Sequence, residues 1–239
     1  MAFGSFVFTA QYLQLVIGLS PLEAGLWTLP SSVGFVVSSM MSSWVVARIP
    51  APRVIAVGLV LAALAFLLLT QVGNGHPLTM VVASTIVMSL GLGLVFTLTT
   101  DLIVGAAPPE RAGAAGALSE TGAEFGGVLG IAVLGSIGMA IYRGAMVGGI
   151  PAGVPEEAAE TARDTLGGAV AIAPQLPSGL ADALLAVARS AFTSSFEVTA
   201  TISTVLTVVA AVVMLLMFRK DGPTRPSDEP QPAALQKAA

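Results

Sequence analysis

Six long apolar stretches, separated by turn-rich breaks, constrain this chain more than any other feature of its sequence. They cover residues 2–18, 24–47, 54–72, 78–105, 113–142 and 190–218. A helix needs roughly 17 to 25 residues to cross a hydrocarbon core of ~30 Å. Inside lipid the backbone must satisfy its own hydrogen bonds, so such segments fold as helices. We therefore predict an all-α integral membrane protein whose six transmembrane helices form one bundle over residues 1–219.

Composition supports the membrane class and argues against several other classes. Hydrophobic residues make up 55% of the chain and charged residues only 10%, whereas soluble domains carry about 25% charged residues. The chain has no cysteine and a single histidine, so we expect no disulfide and no metal site. No polar cluster suited to catalysis is visible, and we expect neither an enzyme nor a cofactor. The lipid bilayer is the expected partner, and a nucleic acid is not.

The placement of basic residues predicts the orientation. If the six spans alternate, one side receives most of the arginines and lysines, and the other side has three arginines among five acids. The basic residues of the first side are Arg48, Arg53, Arg111, Arg219, Lys220, Arg225 and Lys237. Cytoplasmic loops carry an excess of Lys and Arg, so we predict that both termini are cytoplasmic. Residues 220–239 are polar and rich in proline, which is typical of a disordered tail.

The break at residues 143–189 is then a long extracytoplasmic loop. Residues 156–166 are rich in Ala and Glu, which favour helices. Ser178 suits the N-cap of a second helix over residues 180–189. We predict a helical hairpin outside the membrane, with an unpacked mobile loop as the alternative.

Two acidic residues inside the fifth span, Glu120 and Glu124, are the strongest functional signal. An ionisable group within a membrane span is costly and marks a functional site by default. A helix that starts near residue 112 places both side chains roughly 12 to 18 Å deep, which is close to the midplane. They are four residues apart and so share one helix face. A buried pair of this kind can release a proton when a cation arrives and regain it when the cation leaves.

We assign different roles to the two carboxylates. Glu124 is deeper and adjacent to Phe125, so it is predicted to contact the cation or to carry the proton. Glu120 lies one turn nearer the cytoplasm and suits proton access. Alternatively, one of them bonds to a neighbouring helix and only stabilises packing. Close helix packing is predicted for another face, where glycine recurs every four residues. These glycines are Gly122, Gly126 and Gly130.

Other candidates lie near the ends of the spans. Asp101, at the cytoplasmic end of the fourth span, is a possible gate with Arg111 or another cytoplasmic arginine, or else an interfacial charge. Glu197 lies two turns into the last span and is expected to face water or a partner. Polar side chains in the first span either line a cavity or bond between helices. They are Gln11, Tyr12 and Gln14, and Phe125 of the fifth span is a further possible cavity-lining residue. The aromatic faces of Phe35, Phe96 and Trp27 suit either an organic cation or a core.

Three strings resemble a known family in the same order along the chain. RAGAAGALSETGAEFGGVLGIAVLGSI resembles the penultimate helix of the 14-helix drug:proton antiporters of the major facilitator superfamily, which include multidrug efflux pumps for quaternary ammonium compounds. QYLQLVIGLSPLEAGLWTLP resembles the helix–loop–helix that opens the C-terminal half of such a protein. VARIPAPRVIAVGLVL is similar to the cytoplasmic loop between the second and third helices of a half. Arg48, Arg53 and Gly58 match there, whereas Val46 and Ala47 stand where the family has an acidic residue.

The resemblance implies a fold and an activity. The implied fold is one six-helix half-bundle of a transporter in a bacterial plasma (inner) membrane. In such a transporter the substrate site lies between the two halves, near the midplane of the membrane. This chain would line one wall, either as a truncated product or as a natural half that pairs with a missing N-terminal half or a second copy. The implied activity is proton-coupled efflux of lipophilic or cationic drugs, with buried Glu120 and Glu124 exchanging protons for the cation. The gate would then involve Asp101, Arg111, Arg48 and Arg53.

Two alternatives stay open. The cargo is a different small metabolite or an antibiotic, or the chain is a membrane subunit that transports nothing. Two acids and no base in the spans favour cations, because an unpaired carboxylate repels anions.

Overall fold

A computed structural model describes residues 2–218 of the chain, and all of its regular structure there is helical. The predicted tail at residues 220–239 lies outside the described residues. The first helix, α1 (Ala2–Gln11), continues directly into a π-helical segment (Tyr12–Val16). The remaining helices are α2 (Pro21–Val46), α3 (Ala51–Leu69), α4 (Pro77–Gly105), α5 (Ala112–Gly149), α6 (Glu156–Asp164), α7 (Leu166–Ile172) and α8 (Ser178–Phe218). Short 3₁₀ turns at Pro109–Arg111 and Ala173–Gln175 precede α5 and α8.

Five of these helices are long and apolar enough to cross a membrane: α2, α3, α4, α5 and α8. The predicted all-α membrane class is thereby confirmed, and so are five of the six predicted spans. The span predicted at residues 2–18 is the exception. It contains 10 residues of α-helix and 5 of π-helix, and Gly18 then adopts a positive φ of 86° that ends it. The structure therefore does not confirm a count of six.

The local sequence explains where the helices begin. Ser20 caps α2: its side chain accepts a hydrogen bond from the backbone N–H of Glu23, and the Glu23 carboxylate accepts one from the Ser20 backbone N–H. Such a reciprocal pair satisfies two backbone donors that a helix start leaves free. Proline occupies the first turn of α2, α3 and α4, where its missing N–H costs nothing.

Consecutive long helices run antiparallel, so the bundle has two distinct ends. We call the end that carries α6 and α7 the capped end, and the opposite one the open end. At the capped end the guanidinium Nε of Arg189 in α8 donates to the Leu15 carbonyl at 3.1 Å. At the open end Met214 of α8 packs against Val54 and Leu98 from α3 and α4. The contacts at both ends show that the direction alternates from the first helix to the last.

Helix α4 lies at the centre because its glycines admit neighbouring backbones. A Cβ atom built on Gly58 of α3 would lie only 2.7 Å from the Gly91 carbonyl oxygen. On the other side of α4, a Cβ on Gly93 would clash with the Ser38 hydroxyl of α2. That hydroxyl also lies 3.4 Å from the carbonyl of Ser89, to which it donates. Small residues therefore hold α2 and α3 directly against α4, as is usual for helices in lipid.

The segment between α5 and the last span forms a cap. Helix α5 extends to Gly149, and α8 begins at Ser178, so both project beyond the apolar stretches. The Tyr142 hydroxyl of α5 donates to the Ala162 carbonyl of α6 at 2.8 Å, and Arg143 pairs with Asp164 at 3.1 Å. Buried apolar side chains of the cap, including Ala162 and Leu166, join one core with α5 and α8.

The α3–α4 contact generates a prediction about stability. We expect Gly91→Ala to destabilise the bundle, because its Cβ would meet the backbone of Gly58 and Ala62, and overpacking of this kind costs about 1–3 kcal/mol. Thermal unfolding of the purified chain in detergent measures the effect.

The matched control is Gly122→Ala, because nothing lies within 4 Å of a Cβ at that position. Both substitutions gain the same helix propensity, so the difference between their unfolding midpoints reports packing alone. Equal midpoints would contradict the close crossing of α3 and α4.

Candidate functional site

Helix α5 presents Glu120 and Glu124 on a face that no other part of residues 2–218 covers. Both residues are exposed, and so are their neighbours Leu118 at 72% and Phe125 at 64%. The prediction that the two carboxylates are buried is therefore wrong for this chain. The physical reason is that α5 contacts the other helices through one narrow stripe, and the acids lie beside that stripe.

The stripe consists of small residues over much of its length. It runs through Ser119, Ala123, Gly127, Gly130 and Leu134, all buried or half-buried. Of the glycines predicted to pack, Gly130 has a close neighbour: a Cβ on Gly4 of α1 would lie 3.6 Å from its carbonyl oxygen. A Cβ on Gly122 or Gly126 would meet nothing within 4 Å. The glycine face is therefore largely open in this chain.

No base of the described chain neutralises either acid. Over residues 2–218 the ion pairs are Arg143 with Asp164, at 3.1 Å, and Arg163 with Glu156, at 2.9 Å. Both pairs lie at the capped end. An uncompensated carboxylate in contact with lipid costs several kcal/mol. The α5 face that carries the acids therefore requires either a water-filled cavity or another protein surface beside it.

The structure does not assemble the predicted gate. Asp101, near the end of α4, and Arg111, just before α5, are both exposed, and neither belongs to an ion pair within the described chain. The guanidinium of Arg48 instead lies 3.8 Å above the ring of Trp44 and donates to that residue's carbonyl at 3.3 Å. Arg53 is exposed in the first turn of α3.

Two cavities of drug-binding size lie along α1. One, of about 430 Å³, is bounded by α1, α5 and α8, with Gln11, Phe192 and Tyr142 among its lining residues. The other, of about 460 Å³, lies between α1, α2 and α4. Its lining includes the rings of Phe6, Phe35 and Phe96. Trp27 lies outside it and is 46% exposed.

The remaining polar candidates lie near the capped end. Tyr12, the first residue of the π-helical segment, is buried and stacks on Phe196 with 5.2 Å between ring centroids. Gln14 is half-buried. Glu197 of α8 is also half-buried, and its Oε1 accepts a hydrogen bond from the Gly73 backbone at 3.0 Å. Sequence reasoning missed this last contact because 124 positions separate its partners. The glycines of the GNGHP turn were the only available signal.

Comparison with known proteins gives a consistent result. Residues 1–155 match the profile of the Major Facilitator Superfamily. The multidrug efflux pump LfrA of Mycolicibacterium smegmatis is 39% identical over 91% of this chain and 43% of its own length. The tetracenomycin C resistance and export protein of Streptomyces glaucescens is 33% identical over 97% of the chain and 44% of its own length. The methyl viologen resistance protein SmvA of Salmonella typhimurium is 30% identical over 88% of the chain and 42% of its own length. The chain thus spans less than half the length of these curated relatives.

The register of α1 against α5, which decides where the acids face, is testable by cross-linking. The chain has no cysteine of its own. A Cβ on Gly4 would lie 3.6 Å from the Cα of Ile131, which is close enough for a disulfide. We expect a Gly4→Cys/Ile131→Cys double variant to form that disulfide on oxidation and to lose its reaction with maleimide–polyethylene glycol.

The control is Gly4→Cys combined with Gly126→Cys, because Gly126 has an open surface. It should keep both thiols reactive under the same oxidation. Cross-linking of the control with equal efficiency would show that α5 is rotated from the position described.

Proposed function

Since this chain belongs to the Major Facilitator Superfamily, we propose that it forms one half of a proton-coupled efflux transporter for lipophilic organic cations. One observation carries the proposal: Glu120 and Glu124 are exposed on a helix of membrane length, without a base or a covering residue from the described chain. A second helical half placed against α5 would remove the acids from lipid and enclose them in an aqueous cavity. Membership of a transporter family also confirms that the chain is not an enzyme.

Three long helices, α2, α5 and α8, leave most of their apolar surface exposed. In the most apolar 18-residue stretch of α2 only 17% of the residues are buried, and in that of α5 only 22%, against 50% in α3. The value in α8 is also 22%, so three helices share this low burial, and the acids of α5 are what favour a missing half or a second copy on that side. The open glycines of α5, Gly122 and Gly126, would let a partner helix approach closely.

The proposed exchange follows from the charge of the site. With no base nearby, a carboxylate at Glu124 attracts a cation and repels an anion. Binding of the cation would displace a proton from the pair, and Glu120, one turn closer to the open end, would pass that proton to or from water. The rings of Phe6, Phe35 and Phe96 in the cavity between α1, α2 and α4 offer faces for an organic cation.

The proposed orientation places the open end in the cytoplasm. Arg48, Arg53 and Arg111 lie at that end, next to the connections between α2 and α3 and between α4 and α5. The capped end, with its three arginines among five acids, would be outside the cell. Both termini would then be cytoplasmic in a bacterial plasma membrane, with six passes including the short first one.

A second candidate is export of an antibiotic that is not a cation. The relative named as a tetracenomycin C resistance and export protein supports it, because the match covers 97% of this chain. A membrane subunit that transports nothing is the third candidate, and it requires only the apolar faces of α2 and α5.

The role of the acids is tested by conservative substitution. We expect Glu124→Gln to reduce proton-driven ethidium efflux to the background of cells that lack the chain, because an amide can neither release a proton nor compensate a cation. Glu120→Gln should slow efflux as well. Efflux is followed by ethidium fluorescence in cells that express the chain with its partner half, and expression is checked by blotting.

Glu157→Gln in α6 is the matched control, because this acid lies in the cap, and it should leave efflux unchanged. Normal efflux by Glu124→Gln would refute the role of that carboxylate. Efflux that survives collapse of the proton gradient would refute proton coupling. Absence of ethidium efflux by the unaltered protein would favour the second or third candidate.

A further inference from the structure

The capped end holds a polar cavity that the proposed exchange at Glu120 and Glu124 does not use. Its volume is about 560 Å³, which lies within the range of small-molecule sites. Glu197 supplies its one acidic side chain, and the other lining residues are largely hydroxyl-bearing, amide or glycine. The polar ones include Tyr12, Asn74, Ser190, Thr193 and Ser194. The geometry points to a second organic-cation site at the capped end, with the Glu197 carboxylate as its charged ligand.

The Glu197 side chain is fixed in place on this cavity. Its Oε1 accepts the backbone N–H of Gly73 at 3.0 Å. A Cβ at position 73 would lie 2.7 Å from the same oxygen, so the carboxylate approaches the backbone closely at this glycine. Within residues 2–218, Gly73 alone donates a hydrogen bond to this carboxylate, and Oε2 remains available to a ligand.

The negative charge of Glu197 has no counter-charge in the described part of the chain. Four bases lie at this end, of which Arg143 and Arg163 pair with Asp164 and Glu156. Arg189, two turns earlier on α8, is engaged with the Leu15 carbonyl, and His76 is exposed in the turn before α4. None of the four forms an ion pair with Glu197. A cleft that carries charge of one sign concentrates ligands of the opposite sign. The cavity is also far larger than a bare metal ion needs, so an organic cation is the ligand that fits it.

This cavity is separate from the site on α5. A Cβ on Gly138 of α5 would lie 3.3 Å from the Ser195 hydroxyl, so the α8 turn that bears Glu197 is level with Gly138. Glu124 lies 14 positions before Gly138, which is roughly 20 Å along the helix. A cation released from Glu120 and Glu124 would therefore meet Glu197 near the opposite face of the membrane. The inference rests on the proposed function for its class of ligand, but needs no role for Glu120 or Glu124.

Binding of ethidium by the full chain, purified in detergent from its host membranes, tests the site. The measurement uses a Glu120→Gln/Glu124→Gln background, so that only the capped-end site contributes a carboxylate. We expect saturable binding by fluorescence anisotropy. Adding Glu197→Gln should weaken it about tenfold, because the amide oxygen still accepts from Gly73 while the charge is lost. Glu157→Gln, an acid outside the cavity, should change nothing.

Thermal unfolding separates the role of the charge from a structural one. Glu197→Gln should leave the unfolding midpoint unchanged, because the amide oxygen can still accept the Gly73 hydrogen bond. Equal binding with and without Glu197→Gln would overturn the site, and so would a matching loss of stability in that variant. Absence of saturable binding in the Glu120→Gln/Glu124→Gln background would also overturn it. The exchange proposed for α5 would survive that result, because its own test is efflux by Glu124→Gln.

Discussion

Contact between helix backbones at the glycines of α4 determines how the rest of the bundle is arranged. Gly91 lies against Gly58 of α3, and Gly93 lies against α2 at Ser38. Two helices are thus held tightly on α4, and α8 packs along α3. Helix α5 joins this group through α8 and α1 and touches α4 less extensively. Its remaining surface is free, and that surface carries the carboxylates.

The free surface connects packing with function. A membrane helix tolerates exposed apolar side chains, since lipid solvates them, but it does not tolerate an exposed carboxylate without water or a partner. Leu118 and Phe125 could face lipid indefinitely, whereas Glu120 and Glu124 could not. In the proposed transporter, the acids therefore mark the side of the bundle that would face the cavity.

The sequence predicted most of the fold but only part of the site. Lengths of apolar segments and the Ser20–Glu23 pair located five spans, since both depend on local chemistry. Hydropathy does not distinguish an α-helix from a π-helix, so the segment beginning at Tyr12 was not foreseen. The spacing of Gly122 and Gly126 predicted the wrong packing face of α5, because the stripe that packs runs through the adjacent positions. Ser119 and Ala123 on that stripe are also small enough to allow close helix contact. The positions of Glu120 and Glu124 along α5 predict how deep they lie in a membrane. They do not predict whether other parts of the protein bury them, and both side chains are exposed.

Helix α8 connects the two ends of the bundle as a single long helix. Its 41 residues form one uninterrupted helix of about 60 Å, twice the thickness of a hydrocarbon core. One end is buried under the cap at Leu184, and the other reaches Met214 beside α3 and α4. A tilt of about 5° about the capped end would move the far end by about 5 Å. Because α8 is continuous between these two contacts, a rigid-body movement of the cap would also move the contact of Met214 with α3 and α4.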